Sequence, residues 1–333
     1  MRCMQIVDMH CDTISELLCA KREGKPHSLR ENQLHADLLR MRESGYILQN
    51  FALFINLRKC INHHPWEELL EQYELYREEL ADNTDLVAPV TCFADLECHR
   101  RAGVISAMLT VEEGGVCGGD LHKLEELYAL GVRMLTLSWN YSNELGHPNI
   151  QLDKEPDLYR PESVPGLTKR GFEFVECMEA FGMVIDVSHL SDAGFYDVAS
   201  CSKKPFVASH SNARAVCACS RNLTDDMIRL LAQKGGCMGL NYCADFLVDP
   251  KGRSETVDYW EAVASHAKHI VNVGGIEVLG LGSDFDGIPT NRDIRDVTCM
   301  ERLWEAFGKA GFTQGEREKI FEKNVLRIYR EIL

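Results

Sequence analysis

A histidine and an aspartate stand two positions apart, at His10 and Asp12, directly behind the apolar run MQIVDM. If that run is a strand, both side chains leave it on the same side. Imidazole and carboxylate together form a ligand set that suits Zn²⁺. An isolated H-x-D pair is more often a coincidence or a capping pair. It therefore indicates a metal site only if further ligand types converge on it.

Other apolar runs of the chain also end in histidine or acidic side chains. These residues are Glu112, Glu113, His189, His210, Asp284 and Asp286. Each one alone is better explained as a turn, rim or core residue. Glu113 stands directly before two glycines, which would let another group approach the backbone closely. Because the pattern recurs at independent runs, it favours a shared metal site over separate structural roles.

This set of residues predicts hydrolytic chemistry. One carboxylate between two ligand pairs could bridge two metal ions about 3.5–4 Å apart, and these would share and activate one water. Asp284 could take the proton from that water and pass it to the leaving group. Arg221, in the segment CSRNLTDD, could hold a substrate carboxylate through paired hydrogen bonds. A surface ion pair is the alternative for Arg221, and a turn before Gly287 is the alternative for Asp286.

The elements that must position these residues are short apolar runs that alternate with helical patterns. The runs are MQIVDMH, ILQNFALFI, VISAMLTV, RMLTLSW, MVIDVSH, PFVASH, GCMGLNY and VLGLGSD. A doubly wound sheet would require a glycine-rich loop after the first run, and DMHCDTI contains no glycine. We therefore predict an α/β fold, a (β/α)₈ TIM barrel of the metallo-dependent hydrolase type, with residues 1–333 as one domain. In such a barrel the carboxyl ends of all strands open onto one face, where the polar residues would meet.

Composition excludes several classes of partner. The chain has 36 basic and 51 acidic side chains and a net charge of −15, which argues against nucleic acid and anionic membranes. The 14 cysteines include no paired C-x-x-C set, so we interpret most as reduced, buried residues. No signal-peptide pattern precedes His10 and no run of 18 apolar residues occurs. These features predict a cytoplasmic protein.

The motifs also resemble those of a known family along the whole length of the chain. They include DMHCDT, VEEGG, MVIDVSHLS, KPFVASHSNARA, SRNLTDD, GLGSDFDGI and NVLRIYR. In this order they are similar to the membrane dipeptidase (renal dipeptidase) family, peptidase family M19, whose members are binuclear zinc peptidases related to the amidohydrolase barrels. The resemblance implies hydrolysis of free dipeptides, including dipeptides with a C-terminal D-residue, and it also suggests a homodimer.

The resemblance further implies roles for individual residues. His10, Asp12 and Glu113 would hold one Zn²⁺, and Glu113, His189 and His210 would hold a second, with a hydroxide as the other bridge. Glu113 is chosen over Glu112 because it immediately precedes the two glycines. The resemblance makes Asp284 the acid/base and Arg221 the clamp for the carboxylate of the dipeptide.

One position departs from the family pattern. Where family members carry a histidine that polarises the scissile carbonyl, this chain has Trp139 in LTLSWN. Asn140 or His147 could supply the missing donor. Trp139 could instead stack on a substrate side chain or simply cover the barrel mouth. Two other functions therefore stay open: hydrolysis of a different amide, such as a cyclic amide or β-lactam, and a metal-binding protein without catalytic activity.

Overall fold

The computed structural model describes residues 4–60, 64–153, 157–160 and 164–333. These residues form one parallel sheet of nine strands. The strands are β1 (Ile6–Asp8), β2 (Tyr46–Phe54), β3 (Val87–Val90), β4 (Ile105–Glu112), β5 (Met134–Thr136), β6 (Val184–Asp186), β7 (Val207–Ala208), β8 (Cys237–Leu240) and β9 (Leu279–Leu281).

Eight of these strands close into a barrel. Neighbouring strands pair in the order β1, β2, β4, β5, β6, β7, β8 and β9, and β9 pairs back with β1 through Leu281 and Asp8. Helices separate consecutive strands, so the predicted (β/α)₈ barrel is confirmed. Each of the eight predicted runs overlaps a barrel strand.

The ninth strand, β3, was not predicted. It lies outside the barrel, and within the described residues it pairs only with the first half of β4, from Val87 with Ile105 to Val90 with Met108. Its four residues, VAPV, are too few to show an alternating pattern. Pro89 cannot donate a backbone hydrogen bond, which suits a strand at an edge.

The helices surround the barrel. They are α1 (Thr13–Arg22), α2 (Leu38–Ser44), α3 (Pro65–Asp82), α4 (Phe93–Ala102), α5 (Leu121–Ala129), α6 (Lys169–Phe181), α7 (Asp192–Cys201), α8 (Asp225–Gln233), α9 (Ala244–Leu247), α10 (Tyr259–Gly274), α11 (Met300–Lys309), α12 (Gln314–Glu318) and α13 (Asn324–Ile332). Helix α6 shows how their ends are specified. The Thr168 hydroxyl accepts a hydrogen bond from the Gly171 N–H at its start, and Gly182 takes a left-handed conformation at its end.

The amino-terminal end of the barrel is filled with apolar side chains. Val325, Ile328 and Tyr329 of α13 pack in one buried cluster with Val7 of β1 and Met108 of β4. This packing leaves the carboxyl ends of the strands as the end where polar side chains gather. In the part of the chain that the structure describes, no helix is both long enough and apolar enough to cross a membrane.

Candidate active site

Three ligand-type side chains from separate strands meet on one side of the barrel mouth. Glu112 is the last residue of β4, and His189 and His210 follow β6 and β7. Glu112 Oε1 lies 3.0 Å from His189 Nε2 and 3.3 Å from His210 Nε2. The two Nε2 atoms are 3.0 Å apart. We call these three residues the imidazole side of the site.

The residues that follow β1 and β9 form the other side. His10 Nε2 lies 3.2 Å from Asp12 Oδ2 and 3.8 Å from Asp284 Oδ1. We call His10, Asp12 and Asp284 the carboxylate side. Glu112 joins the two sides, because its Oε2 lies 3.5 Å from His10 Nε2 while its Oε1 faces His189 and His210. All six side chains are at least nine-tenths buried as residues.

The protonation of the imidazole side can be read from its hydrogen bonds. The Ser209 hydroxyl lies 2.6 Å from Asp186 Oδ2 and 2.7 Å from His210 Nδ1. Asp186 also accepts the Thr136 hydroxyl and the Ser188 and Ser209 N–H groups, so both of its oxygens act as acceptors. The single hydroxyl proton of Ser209 therefore goes to Asp186, and His210 Nδ1–H donates to Ser209.

His189 is oriented in the same way by another residue. Its Nδ1 lies 2.8 Å from Asn140 Oδ1, and because that oxygen can only accept, Nδ1 carries the proton. Both Nε2 atoms then present lone pairs to each other and to Glu112 Oε1. Three buried acceptors in contact are unfavourable unless a cation lies among them. The donor set therefore fits a metal ion.

The pKa values on the imidazole side are consistent with neutral histidines beside a carboxylate. Burial lowers the pKa of His189 to about 4 and holds that of His210 well below its usual value. Burial tends to raise the pKa of Glu112. The charge of His10 and its hydrogen bond to Glu112 outweigh this and hold the pKa of Glu112 well below its usual value. These side chains can bind a metal ion without first losing a proton.

The carboxylate side behaves differently. Burial lowers the pKa of His10, but the charges of Glu112 and Asp12 outweigh this and hold it well above its usual value. Burial raises the pKa of Asp12 to about 6 and that of Asp284 to about 8. Among the described residues, neither His10 Nδ1 nor Asp12 Oδ1 has a hydrogen-bond partner, although both atoms are buried. When no metal ion supplies positive charge, the carboxylate side binds a proton.

Backbone strain is concentrated at the same place. Within the described ranges, the non-glycine residues with positive φ are Glu113 (115°), His189 (68°), Asp284 (61°) and Asp286 (70°). A non-glycine residue in such a conformation costs on the order of 1–3 kcal/mol, and it persists only where surrounding contacts impose it. All four residues lie at the barrel mouth, at or next to the proposed ligands.

The prediction that Glu113 bridges the site is wrong, because the structure places Glu112 there. Strand β4 ends at Glu112 with its side chain among the imidazoles, and the chain then turns at Glu113. The Glu113 carboxylate accepts hydrogen bonds from Gly115 N–H (2.7 Å), the Asn143 side-chain amide (2.5 Å) and Trp139 N–H (3.1 Å). Its oxygens are occupied away from the histidines.

The structure brings the other predicted ligands together, and it places Trp139 and Asn140 beside them. A cavity of about 230 Å³ opens onto Asp12, Glu112, Asn140, His189 and Asp284. Its apolar wall consists of Phe54, Trp139, Phe246 and Ile288. Asn140, which was predicted to contact substrate, lines this cavity, and its side-chain oxygen binds His189. His147, the other candidate donor, lies with its Nδ1 3.1 Å from the Gly166 carbonyl.

Arg221 is buried next to this cavity. Its guanidinium lies 5.6 Å from the centre of the Phe246 ring. Only Nη2 makes a hydrogen bond, a long one of 3.5 Å to the His210 carbonyl, whereas Nε and Nη1 have no partner among the described residues. A buried cation with free donors is costly on its own, and it suits an anionic group of a ligand.

Sequence reasoning missed several residues that support the site. Asn241, directly after β8, donates to Asp284 Oδ2 at 2.7 Å, and its strand-end position was a signal of the same kind as the others. Phe54 ends β2 in the same way. Asp286, in contrast, has the structural role given as its alternative. Its carboxylate accepts hydrogen bonds from the Thr13 hydroxyl and the His35 N–H.

Comparison with known proteins gives the family. Residues 1–333 match the model of the membrane dipeptidases, peptidase family M19. The chain belongs to this family. A Schizosaccharomyces pombe protein named as an uncharacterized dipeptidase is 30% identical over 312 residues, which are 89% of this chain and 72% of that protein. A Klebsiella pneumoniae protein named for the region 5′ of pqqA is 31% identical over 80% of this chain and 97% of its own length.

Similar solved structures support the family assignment. The structure of dipeptidase AC, a family M19 metallopeptidase, is 27% identical with a TM-score of 0.89, covering 99% of both chains. A Rhodobacter sphaeroides metallopeptidase bound to a phosphinate mimic of L-Ala-D-Ala is 26% identical, with the same TM-score and coverage. The predicted family is confirmed, and the enzyme is a metal-dependent dipeptidase.

Proposed function

We propose that the enzyme is a binuclear zinc dipeptidase that cleaves free dipeptides, including those with a C-terminal D-residue. The observation that carries this proposal is the position of Glu112, with one oxygen toward each side of the site. His10 and Asp12 would hold one ion and His189 and His210 the other, with Glu112 as the shared ligand. Imidazole and carboxylate ligands favour zinc among the common divalent metals.

Two zinc ions there would lower the pKa of a shared water and polarise the scissile carbonyl. Asp284 Oδ1 faces His10, while Asn241 holds Oδ2. Asp284 Oδ1 would accept a proton from the nucleophilic water and donate it to the leaving amine. Asn140 keeps His189 in the orientation that presents Nε2.

Arg221 would bind the free carboxylate of the dipeptide, because its unpartnered donors are buried beside the cavity wall at Phe246. The cavity of about 230 Å³ is smaller than the roughly 300–1,000 Å³ of pockets for drug-sized ligands. A cavity of this size can accommodate a small substrate such as a dipeptide. The D-residue specificity is supported by the similar Rhodobacter sphaeroides structure with its L-Ala-D-Ala mimic. A cytoplasmic location, one domain over residues 1–333 and a homodimer stay predictions.

The test combines metal content with a substrate panel. Metal per chain and hydrolysis of L-Ala-L-Ala and L-Ala-D-Ala are measured before chelation, after chelation and after zinc is restored. We expect two zinc ions per chain and activity that follows them. Activity only on blocked or cyclic amides, or full activity without metal, would contradict the proposal.

Arg221 is tested with a substrate control. Arg221→Met should raise KM for free dipeptides about 10- to 100-fold, because hydrogen bonds to charged groups contribute about 1.5–3 kcal/mol. The same variant should not change KM for dipeptides whose C-terminus is amidated. An equal effect on both substrates would show that Arg221 does not bind the carboxylate.

A further inference from the structure

Glu113 is a fully buried carboxylate that the proposed metal chemistry does not use. It stands next to Glu112 in the chain, yet its side chain points into the loop that follows β5. Its backbone has a φ of 115°, which a side-chain-bearing residue rarely adopts. Strain of this kind persists when the contacts it permits stabilise the structure.

The contacts of the Glu113 side chain hold the loop that carries Trp139, which lines one wall of the cavity. Glu113 Oε2 accepts the Trp139 N–H at 3.1 Å, and Oε1 accepts the Asn143 side-chain amide at 2.5 Å. Asn143 in turn donates to the Leu137 carbonyl and accepts from the Leu145 N–H. The loop from residue 137 to residue 145 is thereby tied to one buried carboxylate.

This loop carries Trp139, whose ring packs edge-on against Phe54 with 4.8 Å between ring centres. The same ring lies 6.1 Å from His189. Phe54 and Trp139 are both only partly buried and both line the cavity, so they offer apolar surface directly beside the proposed metal ligands. Such a surface favours a substrate with an apolar side chain.

We propose that Glu113 is a positioning residue that fixes the wall formed by Phe54 and Trp139, and that this wall selects dipeptides with an apolar side chain. The selectivity rests on the dipeptidase function proposed above, whereas the positioning does not. An apolar side chain of the dipeptide would pack on the wall, while its peptide bond reaches the ligands around Glu112.

Glu113→Gln tests the contact with little change in shape. The amide oxygen can keep the two donors at Oε1, which leaves the amide N–H₂ facing the Trp139 N–H. We expect KM for Leu-Gly or Gly-Leu, whichever the wild type prefers, to rise roughly 10-fold, as lost packing of a few methylenes implies. KM for Gly-Gly and the metal content should stay within twofold of wild type.

Two further measurements separate positioning from general damage. The chain has four tryptophans, and subtracting the spectrum of Trp139→Phe from that of the wild type isolates the emission of Trp139. Glu113→Gln should shift that emission to longer wavelength, whereas the spectrum of Trp139→Phe should not change when Glu113→Gln is added. In the double variant the KM effects should be non-additive, because both changes act on one wall.

The outcomes distinguish this proposal from the dipeptidase proposal. If the wild type cleaves no dipeptide, that function fails, while the fluorescence result still tests positioning. Loss of metal in Glu113→Gln, an unchanged Trp139 emission, or an equal loss on Gly-Gly and the leucine dipeptides would each overturn the inference. If Glu113→Gln does not fold, Trp139→Ala tests the wall directly, and unchanged selectivity in that variant would also overturn the inference.

Discussion

On the imidazole side of the site, each histidine is held by a neighbouring oxygen, whereas on the carboxylate side His10 is held by the charges of neighbouring carboxylates. Asn140 and Ser209 bind the Nδ1 atoms of His189 and His210. On the other side, His10 Nδ1 and Asp12 Oδ1 are buried and have no such partner among the described residues. The two halves of one site are therefore stabilised by different means.

This difference has a physical consequence for metal binding. The imidazole side already presents deprotonated ligands in one orientation, so metal binding requires little rearrangement there. The carboxylate side concentrates negative charge around His10, and the raised pKa values of Asp12 and Asp284 show that a proton competes with a metal ion. We expect the imidazole side to bind metal more tightly and with less dependence on pH.

The largest effect is expected where the two sides share a ligand. Glu112→Gln should reduce bound zinc from two to fewer than one per chain. It should lower dipeptide hydrolysis by at least about 1,000-fold, since several kcal/mol of stabilisation from the metals would be lost. Glu113→Gln is the matched control and should retain both ions. Metal analysis of the two purified variants checks this. Loss of zinc in Glu113→Gln, with zinc retained in Glu112→Gln, would restore Glu113 as the bridge.

A second prediction concerns the carboxylate side alone. Asp284→Asn should lower kcat by roughly 10²–10⁴-fold, the usual contribution of a positioned acid/base, while both metal ions stay bound. Asp286→Asn is the control, because an amide can still accept from His35 N–H and donate to the Thr13 hydroxyl. Steady-state kinetics on L-Ala-D-Ala measure both variants. Full turnover by Asp284→Asn would assign the proton transfer to another group.

The sequence was sufficient to predict the barrel and most of the residues that the structure brings together at its mouth. Parallel strands that close into a barrel bring their carboxyl ends together, so residues such as His10 and His210 converge whatever their distance in the chain. The periodic apolar runs located all eight barrel strands. Strand β3 was missed because four residues with a central Pro89 carry no pattern.

The choice between Glu112 and Glu113 shows what the sequence could not decide. Adjacent residues on a strand face opposite sides, so the bridging residue depends on where β4 ends. Strand ends are uncertain by a residue or two from pattern alone. The two glycines favoured Glu113, but the positive φ there turns its side chain toward Trp139.

The third prediction tests how the imidazole side is held. Ser209→Ala removes the hydroxyl between Asp186 and His210, and we expect metal affinity on this side to fall 10- to 100-fold, as for other groups that orient metal ligands. Thr136→Val is the control, because Thr136 binds the same Asp186 oxygen without touching His210. Competition with a chromophoric chelator measures both. Equal losses in the two variants would indicate a general effect on Asp186.

The smallest expected effect is also the most direct test of the difference between the imidazole side and the carboxylate side. The imidazole side should bind metal equally well from pH 8 down to pH 6, because burial lowers the pKa of His189 to about 4 and that of His210 is also held low. On the carboxylate side, burial lowers the pKa of His10, but the charges of Glu112 and Asp12 outweigh this and hold it well above its usual value, so a proton competes with a metal ion there. Binding must then release a proton, and affinity should fall about tenfold for each unit of decreasing pH.

Equilibrium dialysis at fixed free zinc should therefore show one ion lost before the other as the pH falls. Calorimetry in buffers of different ionisation enthalpy should assign the proton release to that weaker ion. Asp12→Asn gives a sharper test, because it removes a charge that raises the pKa of His10. Proton release at pH 7 should therefore decrease, while binding of the ion on the imidazole side is unaffected. If both ions leave together over the same pH range, the two sides titrate as one unit, and the difference in how their ligands are held has no consequence for binding.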